Sequence, residues 1–256
     1  MRDTLATVFL SSAVLCTGLF GHGCAGSPKG ADAHPHQAYE SILKQAVKND
    51  GVDYAILVDN KDLAHYLKWV AHADLDKMPS KDARLAFYIN AYNALTLRSV
   101  LHFWPNIKSV SDVVPNFGFF KVTKHKVAGQ DVTLDDIENT IIRPTFNDPR
   151  IHAALNCASR SCPPLAPFAF TEAGLDQQLD TVFRRFANDD TRNQISVKER
   201  RIQLSKLFEW YKVDFVSAGG AAAYLAPFVE DPAKKKVLET TPTIQYLPYD
   251  WSLNTP

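Results

Sequence analysis

The stretch from Ser80 to Phe103 constrains this chain most. Ser80 is suited to cap a helix N-terminus, and the residue pattern after it predicts a helix over roughly 81–103, the longest in the chain, ending before Pro105. With Ala86 as zero and about 100° per residue, Ile89, Ala94, Leu97, Val100 and Leu101 fall in one stripe, and Asn90 and Asn93 fall inside it. Two amides are therefore aimed at the core. A buried amide without partners costs about 1–3 kcal/mol, so both must meet loop backbone, each other or a ligand. Loop bracing is the preferred reading, and both are candidate binding residues.

A second polar focus lies at Arg150–Leu165, where a short apolar run breaks into a loop holding Asn156, Cys157, Arg160 and Cys162 and closed by Pro163-Pro164. Its two cysteines are the only ones outside the N-terminal leader, and His152 is close by. A rigid element delivering a polar loop is a common way to place reactive groups. Spacing limits the chemistry. Whether residues 151–157 are strand or helix, regular geometry sets His152 beside Asn156 and not beside Cys157. A His152–Cys157 dyad needs the chain to turn at Cys157, or the thiol takes its base from another segment. The competing reading is a small buried Cys and a hydrogen-bonded core His.

Other helices are expected over 37–49, 60–72, 134–143, 171–187 and 218–229. Residues 117–123 and 126–129 suggest one hairpin, and 194–198 with 201–204 another. Lys234–Lys236 reads as a solvated face, and 244–254 as a strand-like close with buried aromatics. On the 134–143 helix, Leu134, Ile137 and Ile141 form the apolar face, and Glu138 lies in its middle. A carboxylate facing a core is normally paired or functional; an ion pair with Arg150 or Arg160 is one expectation, a role in a site the other.

Formal charge is zero, so electrostatics gives no case for nucleic acid or an anionic membrane. There is no internal repeat, no phosphate-binding glycine loop, no zinc-type His/Cys spacing and no Gly-x-Ser-x-Gly elbow, so neither cofactor nor metal is expected. Arg2, an apolar run from Leu5 to Phe20 and small residues to Gly26 have the order of a secretory signal (1–26). Cys24 is a candidate lipid anchor, although Gly21-His22 departs from the usual lead-in. Residues 27–36 read as a flexible tether and 37–256 as one globular domain. In an oxidising compartment Cys157 and Cys162 are also candidates for a disulfide, which would remove the nucleophile.

Several stretches together resemble one family: Leu-Ala-Phe-Tyr-Ile-Asn-Ala-Tyr-Asn-Ala-Leu (85–95), Leu-Asp-Asp-Ile-Glu (134–138), Asp-Pro-Arg-Ile-His-Ala-Ala-Leu-Asn-Cys (148–157), Ser-Cys-Pro-Pro-Leu (161–165), Leu-Phe-Glu-Trp-Tyr (207–211) with Asp214-Phe215, and Tyr-Asp-Trp-Ser-Leu-Asn (249–254). In this order they are similar to the domain of unknown function 547, across about residues 50–254. The resemblance implies no settled reaction; a distant likeness to papain-type thiol hydrolases has been suggested for the family. Asn139 stands where the family usually has His, so a base must come from His152 or from a distant residue such as His125.

The expected fold is α+β, a single helix-rich domain with a small antiparallel sheet. The first functional expectation is an exported, periplasmic or envelope-associated thiol hydrolase or acyl transferase acting on a small-molecule or peptide substrate. Cys157 is its nucleophile, His152 its base, and Glu138 or an Asn the orienting group, with amides of the 157–162 loop as an oxyanion hole. The second is a non-catalytic exported binding or envelope-assembly module with a Cys157–Cys162 bridge.

Overall fold

The computed structural model describes residues 35–78, 80–240 and 243–256. The expected leader, Cys24 and residues 27–34 of the tether lie outside the described residues. Pro35 and His36, read as the end of the tether, already belong to the first helix, α1 (Pro35–Ala46). A tight hairpin comes next, β1 (Val47–Lys48) and β2 (Gly51–Val52). A Cβ on Gly51 would sit 2.5 Å from the backbone nitrogen of Pro256, so only glycine lets the C-terminal segment pass this close. Asn60 caps α2 (Lys61–His72) by accepting from the Leu63 amide at 2.9 Å. Tyr39 of α1 stacks on Tyr66 of α2, with ring centroids 4.4 Å apart.

The long helix, α3, spans Lys81–Phe103, with Ser80 Oγ accepting from the Ala83 amide. From Leu85 to Val100 only Tyr88 and Arg98 escape burial. The helix is therefore covered nearly all round, as befits a central strut rather than a surface helix with one apolar stripe.

The expected strand over 117–123 is instead a helical turn, α4 (Gly118–Lys121). Phe117 adopts a left-handed conformation (φ 58°), and Gly118 packs where a Cβ would meet Val114 Cγ1 at 2.3 Å. A short aromatic run carries no period to separate strand from helix. The hairpin lies further on, as β3 (His125–Val127) and β4 (Gln130–Val132), turning through Ala128 and Gly129, both at positive φ.

Thr133 and Asp136 then cap each other: the Asp136 amide donates to Thr133 Oγ1 at 3.0 Å and the Thr133 amide to Asp136 Oδ2 at 2.9 Å. This reciprocal cap opens a π-helical segment, Asp136–Ile142, that tightens into α5 (Arg143–Phe146). The wider turn invalidates the 3.6-residue arithmetic at Glu138. Next come α6 (Ile151–Ala154) and α7 (Leu175–Ala187), with the polar loop between them.

Strands β5 (Gln194–Ser196) and β6 (Arg201–Leu204) form the second expected hairpin. Helix α8 (Leu207–Trp210) leads into a 3-10 stretch over Lys212–Ala218. The helix expected over 218–229 is shorter: α9 (Ala221–Leu225) comes after Gly219 and Gly220, both at positive φ, and passes into a 3-10 turn at Ala226–Phe228. Lys234–Lys236 lie on α10 (Pro232–Thr240), where Lys234 pairs with Asp190. The last strand, β7 (Ile244–Tyr246), joins β6 in parallel, the intervening helices providing the crossover. The α+β, helix-rich expectation holds. In place of one antiparallel sheet, the described residues contain three small ones, and the third is mixed.

Candidate active site

Asn93 sets the geometry of the polar loop. Its Nδ2 donates to the Ala154 carbonyl at 2.9 Å and its Oδ1 accepts from the Asn156 amide at 2.8 Å. One buried amide thus satisfies both backbone groups where α6 ends. Asn90 does the same one turn earlier, bracketing Phe170 through its carbonyl (2.7 Å) and amide (2.9 Å). Both side chains brace backbone outside their own helix, and neither lines the cleft that holds Cys157.

Asn156 continues the bracing. Its Nδ2 donates to the Pro163 carbonyl, and its Oδ1 accepts from the Ala158 amide and from Asn254 Nδ2. From below, Arg192 clamps the loop by donating to the carbonyls of Cys162 and Arg160, with Asp189 as its ion-pair partner. The C-terminal segment runs alongside: the Arg160 amide donates to Ser252, the Ser161 amide to Asp250, and the Asn254 amide to Ala158. Arg160 itself reaches the Thr255 carbonyl at 3.2 Å. Asn90, Asn93, Asn156 and Arg160, expected as binding residues, all bond backbone here, and none is among the residues lining the cleft that holds Cys157.

The chain does turn at the cysteine. Helix α6 ends at Leu155, which is extended (φ −86°, ψ 118°). Ala158 then takes a left-handed conformation at φ 62°, an uncommon state for a residue with a Cβ. The break separates His152 from Asn156, so the pair expected from regular geometry does not form. His152 and Cys157 instead line one cleft of about 380 Å³, together with Glu138, Asn139, Asp135, Tyr92, Cys162, Tyr211, Lys121 and a group of aromatic rings.

The imidazole of His152 is fully enclosed. Its Nε2 donates to Asp214 Oδ2 at 2.7 Å, and its ring stacks on Tyr211 with centroids 4.1 Å apart. Its Nδ1 has no hydrogen-bond partner among the described residues; Glu138 Oε1 is 4.0 Å away. Arg143 holds Asp214 through two bonds, Nε to Oδ2 at 2.7 Å and Nη2 to Oδ1 at 2.8 Å, and its guanidinium lies over the Tyr211 ring, 4.8 Å from the centroid. Burial works to raise the Asp214 carboxyl, but the bonds from His152 and Arg143 prevail and hold it well below the usual carboxylate range. Asp214 is therefore an anion, and Nε2 carries the proton it accepts. In neutral His152, Nδ1 is then a free lone pair.

Asn139 joins this support. Its Oδ1 accepts from Arg143 Nη1 at 2.7 Å and its Nδ2 donates to Asp135 at 3.0 Å. His125, the other candidate base, is buried elsewhere beside Ser99 and does not line the cleft. Glu138 pairs with neither Arg150, which is held by Asp148, Asp176 and Asp180, nor Arg160. Its neighbours are the Tyr211 hydroxyl and His152.

The Cys157 sulfur lies 3.0 Å from Ser159 Oγ and 3.3 Å from Tyr249 Oη. The two thiols are unbridged, and the Cys157 amide donates to Cys162 Sγ at 3.1 Å. Contact with the Cys162 thiol lowers the Cys157 thiol most, burial opposes it, and Ser159 and Tyr249 add to the lowering, bringing it to about 7. Cys162 moves the other way, pushed up by burial and by its neighbour. The amides of residues 156–158 and 160–162 all donate to protein acceptors, that of Cys162 to the Ser159 carbonyl. Five of the six amides of the 157–162 loop, expected as an oxyanion hole, are thus taken up by the fold, and the Ser159 amide faces the Cys157 sulfur together with the Ser159 and Tyr249 hydroxyls.

Residues 75–187 match the family model described as protein of unknown function, DUF547. This segment belongs to the DUF547 family. The DUF547 segment carries Asn90, Asn93, Glu138, His152, Cys157 and Cys162, while Asp214 and Tyr249 fall beyond it. It is shorter than the span over which the motifs suggest a resemblance. No curated protein and no solved structure matches the chain.

Reasoning from the sequence does not mark Asp214, Arg143, Tyr249 or Arg192 as site residues. Asp214 and Tyr249 stand in motifs of the resemblance, the only signal that points to them. Nothing local distinguishes Arg143 or Arg192 from surface arginines.

Proposed function

We propose that this protein is a thiol-dependent hydrolase or acyl transferase acting outside the cytoplasm. The observation that carries the proposal is the buried His152 in the lining of the cleft that contains Cys157, held by Asp214 through one ring nitrogen with the other buried and unpartnered. A buried nitrogen left without a partner is costly unless a substrate or a reacting group completes it.

In this reading Nδ1 takes the Cys157 proton as Sγ bonds to an acyl carbon. The tetrahedral oxygen accepts from the Tyr249 hydroxyl and the Ser159 amide, while Ser159 Oγ donates to Tyr249 Oη at 2.9 Å. The bond to the leaving group then breaks, and that group departs with the proton from Nδ1. Water or a second acceptor, deprotonated by the same nitrogen, attacks the thioester and restores the thiol. Glu138, beside Nδ1, favours the imidazolium formed between the two transfers. The papain-type likeness and the reading of 37–256 as one domain belong to this proposal. Export rests on the order of residues 1–26.

The test is covalent trapping. Incubation with p-nitrophenyl acetate should give a burst of nitrophenol and an acetyl group on Cys157 by mass spectrometry. Wild type and Cys157→Ser behaving alike, or acetylation elsewhere only, contradicts the proposal. A non-catalytic module with a Cys157–Cys162 bridge is the rival, favoured by the contact between the two cysteines. A native mass two hydrogens short, with no alkylatable thiol at 157, would support it.

A further inference from the structure

The lining of the cleft also bears on what the enzyme proposed above accepts. Phe117, Phe120, Trp210, Tyr249 and Trp251 contribute adjoining rings. Trp251 meets Tyr249 at 4.5 Å, Phe117 at 5.0 Å and Trp210 at 5.6 Å, and Tyr249 meets Trp210 at 4.7 Å. Phe117 and Trp210 remain 40% and 43% exposed, so apolar surface is left to solvent along this lining.

Tyr249 connects the wall to the chemistry. Its ring belongs to the aromatic series, and its hydroxyl stands 3.3 Å from the Cys157 sulfur. An acyl carbon bonded to that sulfur would place the next carbons of its chain beside these rings. The two indoles are nearly parallel (22°), but Tyr249 and Phe117 are inclined to Trp251 by 51° and 57°. Inclined rings make a channel rather than one flat platform. A rigid planar group covers one ring at a time, whereas a flexible polymethylene chain can lie along several.

Charge narrows the donor. Besides His152, the cleft is lined by two carboxylates, Asp135 and Glu138, against one permanently cationic side chain, Lys121. A free carboxylate at the sulfur would face them, whereas a neutral ester or thioester carries no such penalty. We propose that the cleft takes a linear acyl chain of several methylenes, presented as a neutral ester or thioester, with the chain on the Phe117–Trp251–Tyr249–Trp210 wall. This names the substrate class for the thiol chemistry above and rests on that reading for its reactive end.

Binding and chemistry are tested apart. Cys157→Ala protein is titrated with methyl acetate, butyrate, hexanoate and octanoate below their solubility limits, tracking intrinsic tryptophan fluorescence. Kd should fall about tenfold or more from acetate to octanoate, since each buried methylene contributes at most about fourfold. Trp210→Ala and Phe117→Ala, made singly in the same protein and read by calorimetry, should flatten the series. A Kd independent of chain length overturns the proposal even if the wild type is acetylated at Cys157. So does tighter binding of methyl benzoate than of methyl octanoate. A length-dependent Kd in a protein that never forms an acyl-cysteine upholds the chain site and defeats the thiol reading alone.

Discussion

His152 and Asp214 share a hydrogen bond of 2.7 Å that leaves the opposite ring nitrogen of the histidine buried and without a protein partner among the described residues. If that bond fixes the tautomer, Asp214→Asn should lower ester turnover about 100-fold or more. The carboxylate also contributes to stability. Its folded value lies below its unfolded one, so its contribution is present above pH about 4 and is lost as pH falls through the folded value. Urea midpoints should therefore converge between wild type and Asp214→Asn on acidification. A constant difference down to pH 3 contradicts the ion-paired role.

Asn93 ties the end of α6 to α3 with two bonds to backbone. Asn93→Leu keeps the branched shape and leaves the Ala154 carbonyl and Asn156 amide unpaired, which should cost about 2–4 kcal/mol. Hydrogen exchange at Asn156 and its neighbours should accelerate with the rest of α3 unchanged. Unaltered protection there would show the bonds to be incidental.

The bracing role of these amides was legible in the sequence because polar groups inside an apolar stripe have few affordable fates. The long helix and α2 were legible because each has a period and a side-chain cap, α7 through its period alone, and the 194–204 hairpin through its polar turn at Glu199-Arg200. The site was legible only as a list of chemistries. Cys157, His152 and Glu138 were identifiable, yet their juxtaposition depends on a left-handed Ala158 and a π-helical turn, neither of which has a sequence period. Asp214 lies 62 residues after its histidine, on a 3-10 stretch with no amphipathic pattern to place it. The 117–123 segment misled because an aromatic run suits a strand or a helical turn equally.

His125 should be silent in catalysis and visible in stability. Burial, helped by Arg98, lowers it to about 4 from an ordinary value near 6.5. Between those values the unfolded chain binds the extra proton, so stability should fall as pH drops from about 6.5 toward 4. His125→Phe should remove that slope and leave the Cys157 acylation rate unaltered. Loss of acylation would assign the base to His125 instead.

Export has its own test. Mass spectrometry of protein from its native host should find a mature chain beginning near residues 24–27. An intact Met1 on a cytoplasmic protein contradicts export and weakens the case for a disulfide.

The pH dependence of Cys157 alkylation tests the central claim most directly. Iodoacetamide reacts with the thiolate, so its rate reports ionisation of the sulfur. Contacts from Cys162, Ser159 and Tyr249 set that ionisation near 7. The rate at Cys157 should rise to half its maximum near pH 7, with Cys162 unlabelled, and Tyr249→Phe should move the midpoint upward. A midpoint at or above the free-cysteine value of about 8.5, or a thiol at 157 that does not react at any pH in the folded protein, contradicts a catalytic nucleophile in this cleft.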